Sequence, residues 1–312
     1  MERLEPTQEQ PPLPRVRVLL ATFNGAAHVR EQVASVLDQR DVSVQLYVRD
    51  DGSTDDTVAL LGGAWPRDDR VTVQAGAHLG AAHSYLTMLS RSPADVDYVA
   101  LCDQDDVWLE GKLARATGRL RPIDGPAMYC SAVEVVDQDL RPLGVHRTCR
   151  RRPALENALV QNIATGCTIV LNRAALPLFR AVPHRPVMHD AWIYAVCAAV
   201  GEVCYDPATW VLYRQHQANA IGLASSPTRQ WARRLRQHVE SGSDKVHTRQ
   251  AVELLEILDQ WLSPQARTTI TRFVDAQSSP ARRLRYALAG PAFRQRRIDS
   301  LVYRALYALG RV

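Results

Sequence analysis

Residues 97–106 read DYVALCDQDD, so an apolar segment typical of a buried β-strand leads directly into a cluster of three aspartates. Asp103 and Asp105 stand one residue apart, and two carboxylates this close repel each other unless a cation or hydrogen-bond donors compensate. Divalent Mg²⁺ or Mn²⁺ prefers such oxygen ligands. The cluster therefore indicates a metal site, although Asp105 and Asp106 capping a helix near Trp108 would also explain it.

The segments before this cluster repeat a strand followed by a helix. Hydrophobic and β-branched runs predict strands at residues 16–21, 42–48, 71–74 and 97–102, and helical spacing follows the first three at 29–37, 54–61 and 83–89. Ser53 or Thr54 is the expected N-cap of the second helix. This alternation predicts an α/β fold, a mostly parallel, Rossmann-like sheet with helices on both faces.

Polar side chains stand where these predicted strands end. Open α/β sheets bind ligands at the carboxyl ends of their strands, near a switch in strand order. The residues concerned are Thr22 and Asn24 after the first strand, Asp50 and Asp51 after the second, and Asp103, Gln104 and Asp105 after the fourth. We therefore expect three strand ends to form one crevice, although Asp50 could also close an Asx-turn before the next helix.

The pattern changes twice after residue 111. Strands are predicted at residues 127–136, 168–171 and 202–205, with a helix at 191–200. From residue 225 onward only helices are predicted, and two are amphipathic. Their apolar faces carry Val252, Leu255, Leu258 and Leu262 at 248–262, and Ile298, Leu301, Val302, Ala305 and Leu309 at 297–309. The expected organisation is a disordered tail at 1–14, a catalytic domain at 15–224 and a basic, amphipathic helical appendage at 225–312.

The positive charge of the chain is concentrated in that appendage. The net charge is +5 over 312 residues, whereas residues 225–312 hold 16 Arg and Lys against 7 Asp and Glu. Two compatible interpretations are a helical cap on the catalytic domain and peripheral attachment to an anionic membrane surface. A nucleic-acid partner is not predicted, because no zinc-finger spacing, aromatic RNA-binding strand or helix-turn-helix accompanies the charge.

The cysteines and the hydropathy suggest where the protein works. The six cysteines form no CxxC pair, and several lie in apolar runs, which indicates free thiols in a reducing, cytoplasmic setting. No apolar stretch approaches the roughly 20 residues that span a bilayer, and the polar, proline-rich start lacks the core of a signal peptide. We expect neither a membrane-spanning nor an exported chain.

Taken together, these motifs resemble the family 2 inverting glycosyltransferases, which have a GT-A fold. The resemblance covers roughly residues 15–222, and its later segments are similar to those of bacterial rhamnosyltransferase-like members. The segments that carry it are Thr22-Phe23-Asn24-Gly25, Glu31-Gln32 with Ser35, Asp50-Asp51-Gly52-Ser53-Thr54-Asp55, Asp103-Gln104-Asp105-Asp106-Val107-Trp108, Thr165-Gly166-Cys167, His189-Asp190-Ala191-Trp192 and Tyr213-Arg214-Gln215-His216-Gln217-Ala218-Asn219.

The resemblance implies a role for each matching position. The nucleotide of the donor would be bound by Thr22, Asn24, Asp50, Asp51, Asp103 and Gln104. Asp105 and His216 would hold Mn²⁺ or Mg²⁺, although a lone histidine in a polar loop is more often an ordinary surface side chain.

The resemblance also places the chemistry at Asp190, the implied general base. Gly166, His189 and Trp192 would line the donor and acceptor pocket. Asp190 could instead cap the following helix, and His189 departs from the acidic residue that often precedes this aspartate in the family. A second departure is Gly76-Ala77-His78-Leu79-Gly80, where His78 supplies a polar group or merely closes a loop.

The function expected from these features is inverting transfer of a sugar from a nucleotide-diphosphate donor, with dTDP-rhamnose as a candidate. The acceptor would be a cell-surface polysaccharide or a lipid-linked glycan at the cytoplasmic face of a membrane. A non-catalytic α/β nucleotide-binding protein is an alternative. A sugar-nucleotide pyrophosphorylase is a weaker alternative. That class needs a glycine-rich phosphate loop directly after the first strand, and Gly25 is the only glycine in that loop.

Overall fold

The computed structural model describes residues 12–215 and 245–312. The strands are β1 (Arg15–Thr22), β2 (Ser43–Asp50), β3 (Val71–Ala75), β4 (Tyr98–Cys102), β5 (Val107–Trp108), β6 (Ala127–Val136), β7 (Pro142–His146), β8 (Val170–Asn172) and β9 (Glu202–Arg214). The helices are α1 (Val29–Leu37), α2 (Thr57–Ala64), α3 (Ala81–Ser90), α4 (Lys112–Leu120), α5 (Leu155–Ala158), α6 (His189–Val200), α7 (Val246–Ile257), α8 (Pro264–Asp275), α9 (Pro280–Ala289) and α10 (Arg297–Ala308).

In the described residues the strands form one sheet with the order β3-β2-β1-β4-β8-β6-β9-β5, and β7 pairs with β6. The first four strands are parallel, whereas β8 runs antiparallel to both β4 and β6. Because β2 and β4 lie on opposite sides of β1, the strand order switches there, and their carboxyl ends open a crevice. The predicted α/β sheet and its crevice are confirmed.

The parallel strands are buried on both faces, which explains why they read as nearly continuous apolar runs. On β1, Val18 and Leu20 pack in one hydrophobic cluster with Val33 of α1. Leu19, on the opposite face, packs in a second cluster with Leu86 of α3. Successive side chains of β1 thus anchor helices on the two sides of the sheet.

The prediction of a helix near Trp108 is wrong. Val107 and Trp108 form β5, which pairs with Leu212 and Val211 of β9. The helix begins only at Lys112, after Gly111 with φ = 84°. Asp105 and Asp106 therefore do not cap a helix, and that alternative explanation of the acidic cluster is removed.

Two boundary predictions also differ from the structure. β9 extends to Arg214 rather than ending near residue 205, because its pairing with β6 shifts register next to Pro207, as at a β-bulge. Helix α2 begins at Thr57 with Asp56 as its N-cap, so neither Ser53 nor Thr54 caps it. Ser53 instead donates a hydrogen bond to Asp50 in the preceding turn.

In the described residues 245–312 the C-terminal helices pack against the sheet domain, which agrees with the cap interpretation. Ala251, Leu254 and Phe273 belong to the same hydrophobic cluster as Leu19 of the sheet. Gln295 adds polar contacts, because its Oε1 accepts hydrogen bonds from the backbone N–H groups of Arg150 and Arg151, at 2.8 and 2.7 Å. The predicted boundary at 224/225 lies outside the described residues.

The apolar faces of these helices match the sequence prediction only in part. Leu258 and Leu262, just after α7, are buried as predicted, whereas the predicted Val252 and Leu255 of α7 are half-buried and Ala251 and Leu254 are buried instead. In α10, Tyr303 and Tyr307 make the packing contacts, and the predicted Ile298, Leu301 and Leu309 face outward and are exposed. Within the described ranges, the helices are too short or too polar to cross a membrane.

Candidate active site

A cavity of about 540 Å³ opens at the carboxyl ends of β1, β2 and β4. It is lined by predicted residues from all three strand ends, namely Thr22, Asn24, Asp51, Asp103, Gln104 and Asp105. Gly166, His189 and Asp190 line the same cavity, although they come more than sixty residues further along the chain. The fold therefore assembles in one cavity most of the residues that the sequence singled out.

Asp51 contributes a buried carboxylate to the lining of the cavity. The Arg49 guanidinium pairs with its carboxylate, and the backbone N–H groups of Leu79 and Gly80 donate at 2.9 and 2.8 Å. Burial alone would raise the pKa of Asp51, but these hydrogen bonds, with one from Ser84, hold it below the ordinary value. His78 lies beside this carboxylate with Nδ1 3.2 Å from Oδ2, so the 76–80 loop serves Asp51.

Asp50 does not line the cavity, contrary to the nucleotide contact expected from the resemblance. Its carboxylate accepts hydrogen bonds from the hydroxyls of Thr22 and Ser53 and from the backbone N–H groups of Gly52 and Ser53. These contacts occupy both oxygens and match the alternative of an Asx-turn. Asp50 thus shapes the loop that presents Asp51.

The loop after β1 is joined to both neighbouring loops. Asn24, at φ = 50°, accepts a hydrogen bond on Oδ1 from the backbone of Thr54. Gln104 exchanges two hydrogen bonds with the backbone of Phe23, at 2.9 and 3.1 Å. Both side chains line the cavity. Their hydrogen-bonded atoms connect the loops that form the cavity wall.

Asp103 lies where negative charge is crowded. Burial, together with the charges of Asp105 and Asp190, raises its pKa to about 7, although a hydrogen bond from the Tyr85 hydroxyl at 3.0 Å opposes the shift. A divalent cation would neutralise this crowded charge. The donor set of Asp103 and Asp105 consists of hard oxygen ligands at a cavity wall, and it fits Mn²⁺ or Mg²⁺.

The remaining predicted metal ligand, His216, lies outside the described residues. Among the described side chains, Asp103, Asp106 and Cys167 bring ligand atoms within 4.8 Å of one another. Burial raises the pKa of the Cys167 thiol well above its ordinary value, which makes it a poor ligand for a hard cation. Asp106 is fully buried, accepts a hydrogen bond from the Arg214 backbone and does not line the cavity, whereas Asp103 and Asp105 do, so these two are the better pair.

Arg214 holds the acidic cluster in place from behind. Its backbone N–H donates to Asp106 Oδ1 at 3.1 Å, and its Nε donates to the backbone carbonyl of Asp105 at 2.9 Å. A further guanidinium nitrogen pairs with Glu31 at 2.5 Å. This buried guanidinium at the end of β9 fixes the backbone that presents Asp103 and Asp105 to the cavity.

Asp190 lies in the first turn of α6, whose N-cap is Met188. Its carboxylate accepts a hydrogen bond from the N–H of Ala191, so it stabilises the helix start without being the cap. Burial raises its pKa to about 6, against the effect of that hydrogen bond and one from Asn162. A carboxylate with this pKa is ionised at neutral pH and still basic enough to accept a proton.

His189 and Gly166 fit against each other beside Asp190. A Cβ on Gly166 would lie 2.6 Å from His189 Nε2, so only glycine leaves room for the imidazole. The ring also stacks on Tyr85 at 4.2 Å, and burial lowers its pKa to about 3, which keeps it neutral. Trp192 is buried in the hydrophobic cluster around α6 and does not line the cavity, so its predicted pocket role is wrong.

Several residues of the site were assigned no role from the sequence. Arg49, Ser84, Tyr85 and Tyr213 line the cavity or bind the carboxylates that do, and Arg214 supports the acidic cluster. Arg49, near the end of β2 and two residues before Asp51, was a detectable signal, because alternate residues of an extended chain face the same side. No comparable signal pointed to Tyr85, which sits inside a helix.

A family model described as glycosyl transferase family 2 matches residues 17–176, just over half of the chain. The chain belongs to glycosyl transferase family 2. A relative of this family member is the dTDP-rhamnosyl transferase RfbG of Shigella flexneri, which is 24% identical over 215 residues, covering 65% of this chain and 73% of the relative.

Solved structures of other glycosyltransferases share the fold. S. aureus TarS 1–349 in complex with UDP-GlcNAc matches with a TM-score of 0.58 and 14% identity, over 96% of this chain and 81% of TarS. The mannosyltransferase PcManGT from Pyrobaculum calidifontis, in complex with GDP-Man and Mn²⁺, matches with a TM-score of 0.50 and 18% identity, over 96% and 86% of the two chains. The GT-A fold expected for the family is confirmed.

Proposed function

We propose that this family 2 glycosyltransferase transfers a sugar from a nucleotide-diphosphate donor to a glycan or lipid-linked acceptor hydroxyl, with inversion at the anomeric carbon. The observation that carries the proposal is the shared cavity of Asp51, Asp103, Asp105 and Asp190. Its acidic pair suits a metal-bound diphosphate, and its separate buried carboxylate suits proton acceptance. A binding protein without catalysis has no need of the second group.

The nucleotide lies at the Asp51 end. The hydrogen bonds from Arg49, Leu79 and Gly80 fix the Asp51 carboxylate before any ligand arrives, so a base or ribose donor meets an acceptor already in position. Asp103 and Asp105 would hold Mn²⁺ or Mg²⁺, which when bound supplies positive charge against the leaving diphosphate. Arg214 keeps the backbone of that pair rigid.

The reaction is assigned to Asp190. In an inverting transfer the acceptor hydroxyl attacks the anomeric carbon directly and must lose its proton during the attack. Asp190 accepts this proton, and its place in the first turn of α6 holds the carboxylate at the cavity wall. His189, neutral and wedged between Tyr85 and Gly166, fixes the start of the helix that carries the base.

We propose dTDP-rhamnose as the donor and a surface polysaccharide precursor as the acceptor. The support is the name of the relative RfbG, a dTDP-rhamnosyl transferase. The structures of TarS and PcManGT hold other nucleotide sugars in the same fold, and one of them also holds Mn²⁺. The fold therefore accommodates such donors, and the sugar is selected within the cavity.

A thermal-shift screen tests this proposal. With Mn²⁺ present and ligand at about one hundred times Kd, a specific nucleotide sugar adds about 2.7 kcal/mol and raises Tm by roughly 5 °C. We expect dTDP-rhamnose to give the largest shift among dTDP, UDP and GDP sugars. No shift with any of them would contradict the proposal, whereas a shift without release of nucleoside diphosphate in the presence of acceptor would favour a non-catalytic binding protein.

Replacing Gly166 tests the link between His189 and the base. Gly166→Ala should lower kcat about tenfold or more, because the added Cβ displaces His189 and with it Asp190 by a fraction of an ångström. Initial transfer rates measure the effect. A matched control is Gly118→Ala in α4, where an added Cβ meets nothing within 4 Å.

A second variant also removes the His189 imidazole that the new Cβ would meet. Gly166→Ala combined with His189→Ala should have a higher Tm than Gly166→Ala alone, because the space needed by the new Cβ is then free. Its kcat should stay low, because the imidazole that fixes the start of α6 is gone, and wild-type kcat in the double variant would show that His189 does not position the base.

A further inference from the structure

The last two helices present large apolar side chains to the outside. Leu288 of α9 is 73% exposed, and Leu301 and the adjacent Leu309 of α10 are 64% and 71% exposed. Leu284 and Ile298 are exposed as well. We call these five residues the outer leucine face.

The outer leucine face is not a by-product of poor packing. Helices α9 and α10 are anchored by other residues, since Tyr286, Tyr303 and Tyr307 are buried in the main hydrophobic cluster. The spacing of Ile298, Leu301 and Leu309 follows the helical repeat, so these residues form a second apolar stripe on the opposite side of α10 from the tyrosines. Contiguous exposed apolar faces of this kind mark interaction surfaces.

Arginines accompany the face. Residues 280–312 contain eight arginines and a single acidic residue, Asp299. Arg282 and Arg285 of α9 and Arg296 and Arg297 at the start of α10 are exposed. Apolar side chains interspersed with positive charge are complementary to a surface that is both apolar beneath and anionic above, which is the make-up of an anionic bilayer interface.

The same charge argues against a second copy of this chain as the occupant. A twofold dimer places one patch against itself, so the arginines of the two copies would face each other without compensating acids. A nucleic acid would satisfy the arginines and leave the leucines exposed to water.

We propose that α9 and α10 dock the enzyme on an anionic membrane surface, with the outer leucine face inserted among the lipids and the arginines at the headgroups. This inference does not depend on the sugar or on catalysis. It places the enzyme where a lipid-linked acceptor resides, at the cytoplasmic leaflet that carries anionic lipids.

Vesicle flotation with the full chain tests the proposal. The protein should float with vesicles of phosphatidylglycerol and phosphatidylcholine about tenfold more than with phosphatidylcholine alone, and about 1 M salt should weaken the binding because the Debye length falls to about 3 Å. Leu301→Gln with Leu309→Gln should reduce binding by about tenfold or more. Both positions are exposed, so the fold is retained, and unchanged Tm confirms this.

A matched control variant shows whether flotation depends on the outer leucine face or on any exposed apolar residue. Leu143→Gln with Val145→Gln removes two exposed apolar residues of β7, far along the chain from α10, and should float like the wild type. Failure of the wild type to float, or equal flotation of the Leu301/Leu309 variant, would overturn the proposal. Concentration-dependent dimerisation that is lost in that variant would replace it with a second copy of the chain.

Discussion

Asp190→Asn is expected to lower kcat by about 10² to 10⁴-fold, because the amide cannot accept the proton of the attacking hydroxyl. Nucleotide affinity should stay within about twofold, since the proposed nucleotide contacts are made by other residues of the cavity, Asp51 among them. The measurements are steady-state transfer rates and calorimetric binding of dTDP. Near-normal turnover would refute the assignment of the base.

The same substitution should leave the protein at least as stable as the wild type at neutral pH. Burial raises the pKa of Asp190 from 3.8 to about 6, so ionising this carboxyl at pH 7 costs roughly 3 kcal/mol of folding stability. This loss of folding stability is absent below the pKa that Asp190 has in the unfolded chain, and it is complete above the pKa that Asp190 has in the folded protein. Asparagine does not ionise and avoids this cost. A higher Tm together with lost activity would therefore indicate a base that is kept in a buried, unfavourable position by the fold.

The rate of the wild-type enzyme should also rise with pH through about 6, as Asp190 becomes ionised. Asp190→Glu is the matched control, because it keeps a carboxylate and should retain part of the activity with a shifted profile. A flat profile between pH 5 and 7 for the wild type would speak against a carboxylate base.

Asp105→Asn is expected to abolish the enhancement of nucleotide binding by Mn²⁺, with a loss of about 100-fold in metal-dependent affinity. The carboxylate lies at the cavity wall beside Asp103, and the amide oxygen that replaces it carries no charge to offset a divalent cation. Calorimetric titration of a nucleoside diphosphate with and without Mn²⁺ measures the difference.

The control for this variant is Asp139→Asn, which removes an exposed carboxylate from the turn before β7. It should leave the Mn²⁺ dependence unchanged. If Asp105→Asn also keeps the wild-type dependence, the metal is held elsewhere, and Asp103 with Asp106 becomes the next pair to test.

The sequence by itself determined the sheet and the edge at which the site lies. Four apolar strand-like runs alternating with helical spacing fix a parallel arrangement, and polar residues at the ends of such strands must meet at one edge. Thr22, Asp51, Asp103 and Asp105 were found in this way because their positions depend only on where β1, β2 and β4 end. The motifs of the family added Asp190, which no local pattern distinguishes from a helix cap.

The tertiary structure alone decided the roles that depend on partners distant in sequence. Asp50 and Asp51 are neighbours, yet Asp50 closes a turn and Asp51 faces the cavity. The difference arises because Arg49 and the backbone N–H groups of Leu79 and Gly80 bind the carboxylate of Asp51 only. Trp192 follows Asp190 by two residues, yet the turn of α6 directs it into the core.

The same reason separates the two apolar stripes of α10. The sequence shows a helix with hydrophobic residues on two sides, but it does not state which side meets the sheet domain. Packing selected Tyr303 and Tyr307 and left Leu301 and Leu309 outside. The sequence period shows which residues share a face of a helix. Which face is buried depends on the segments of the chain that pack against it.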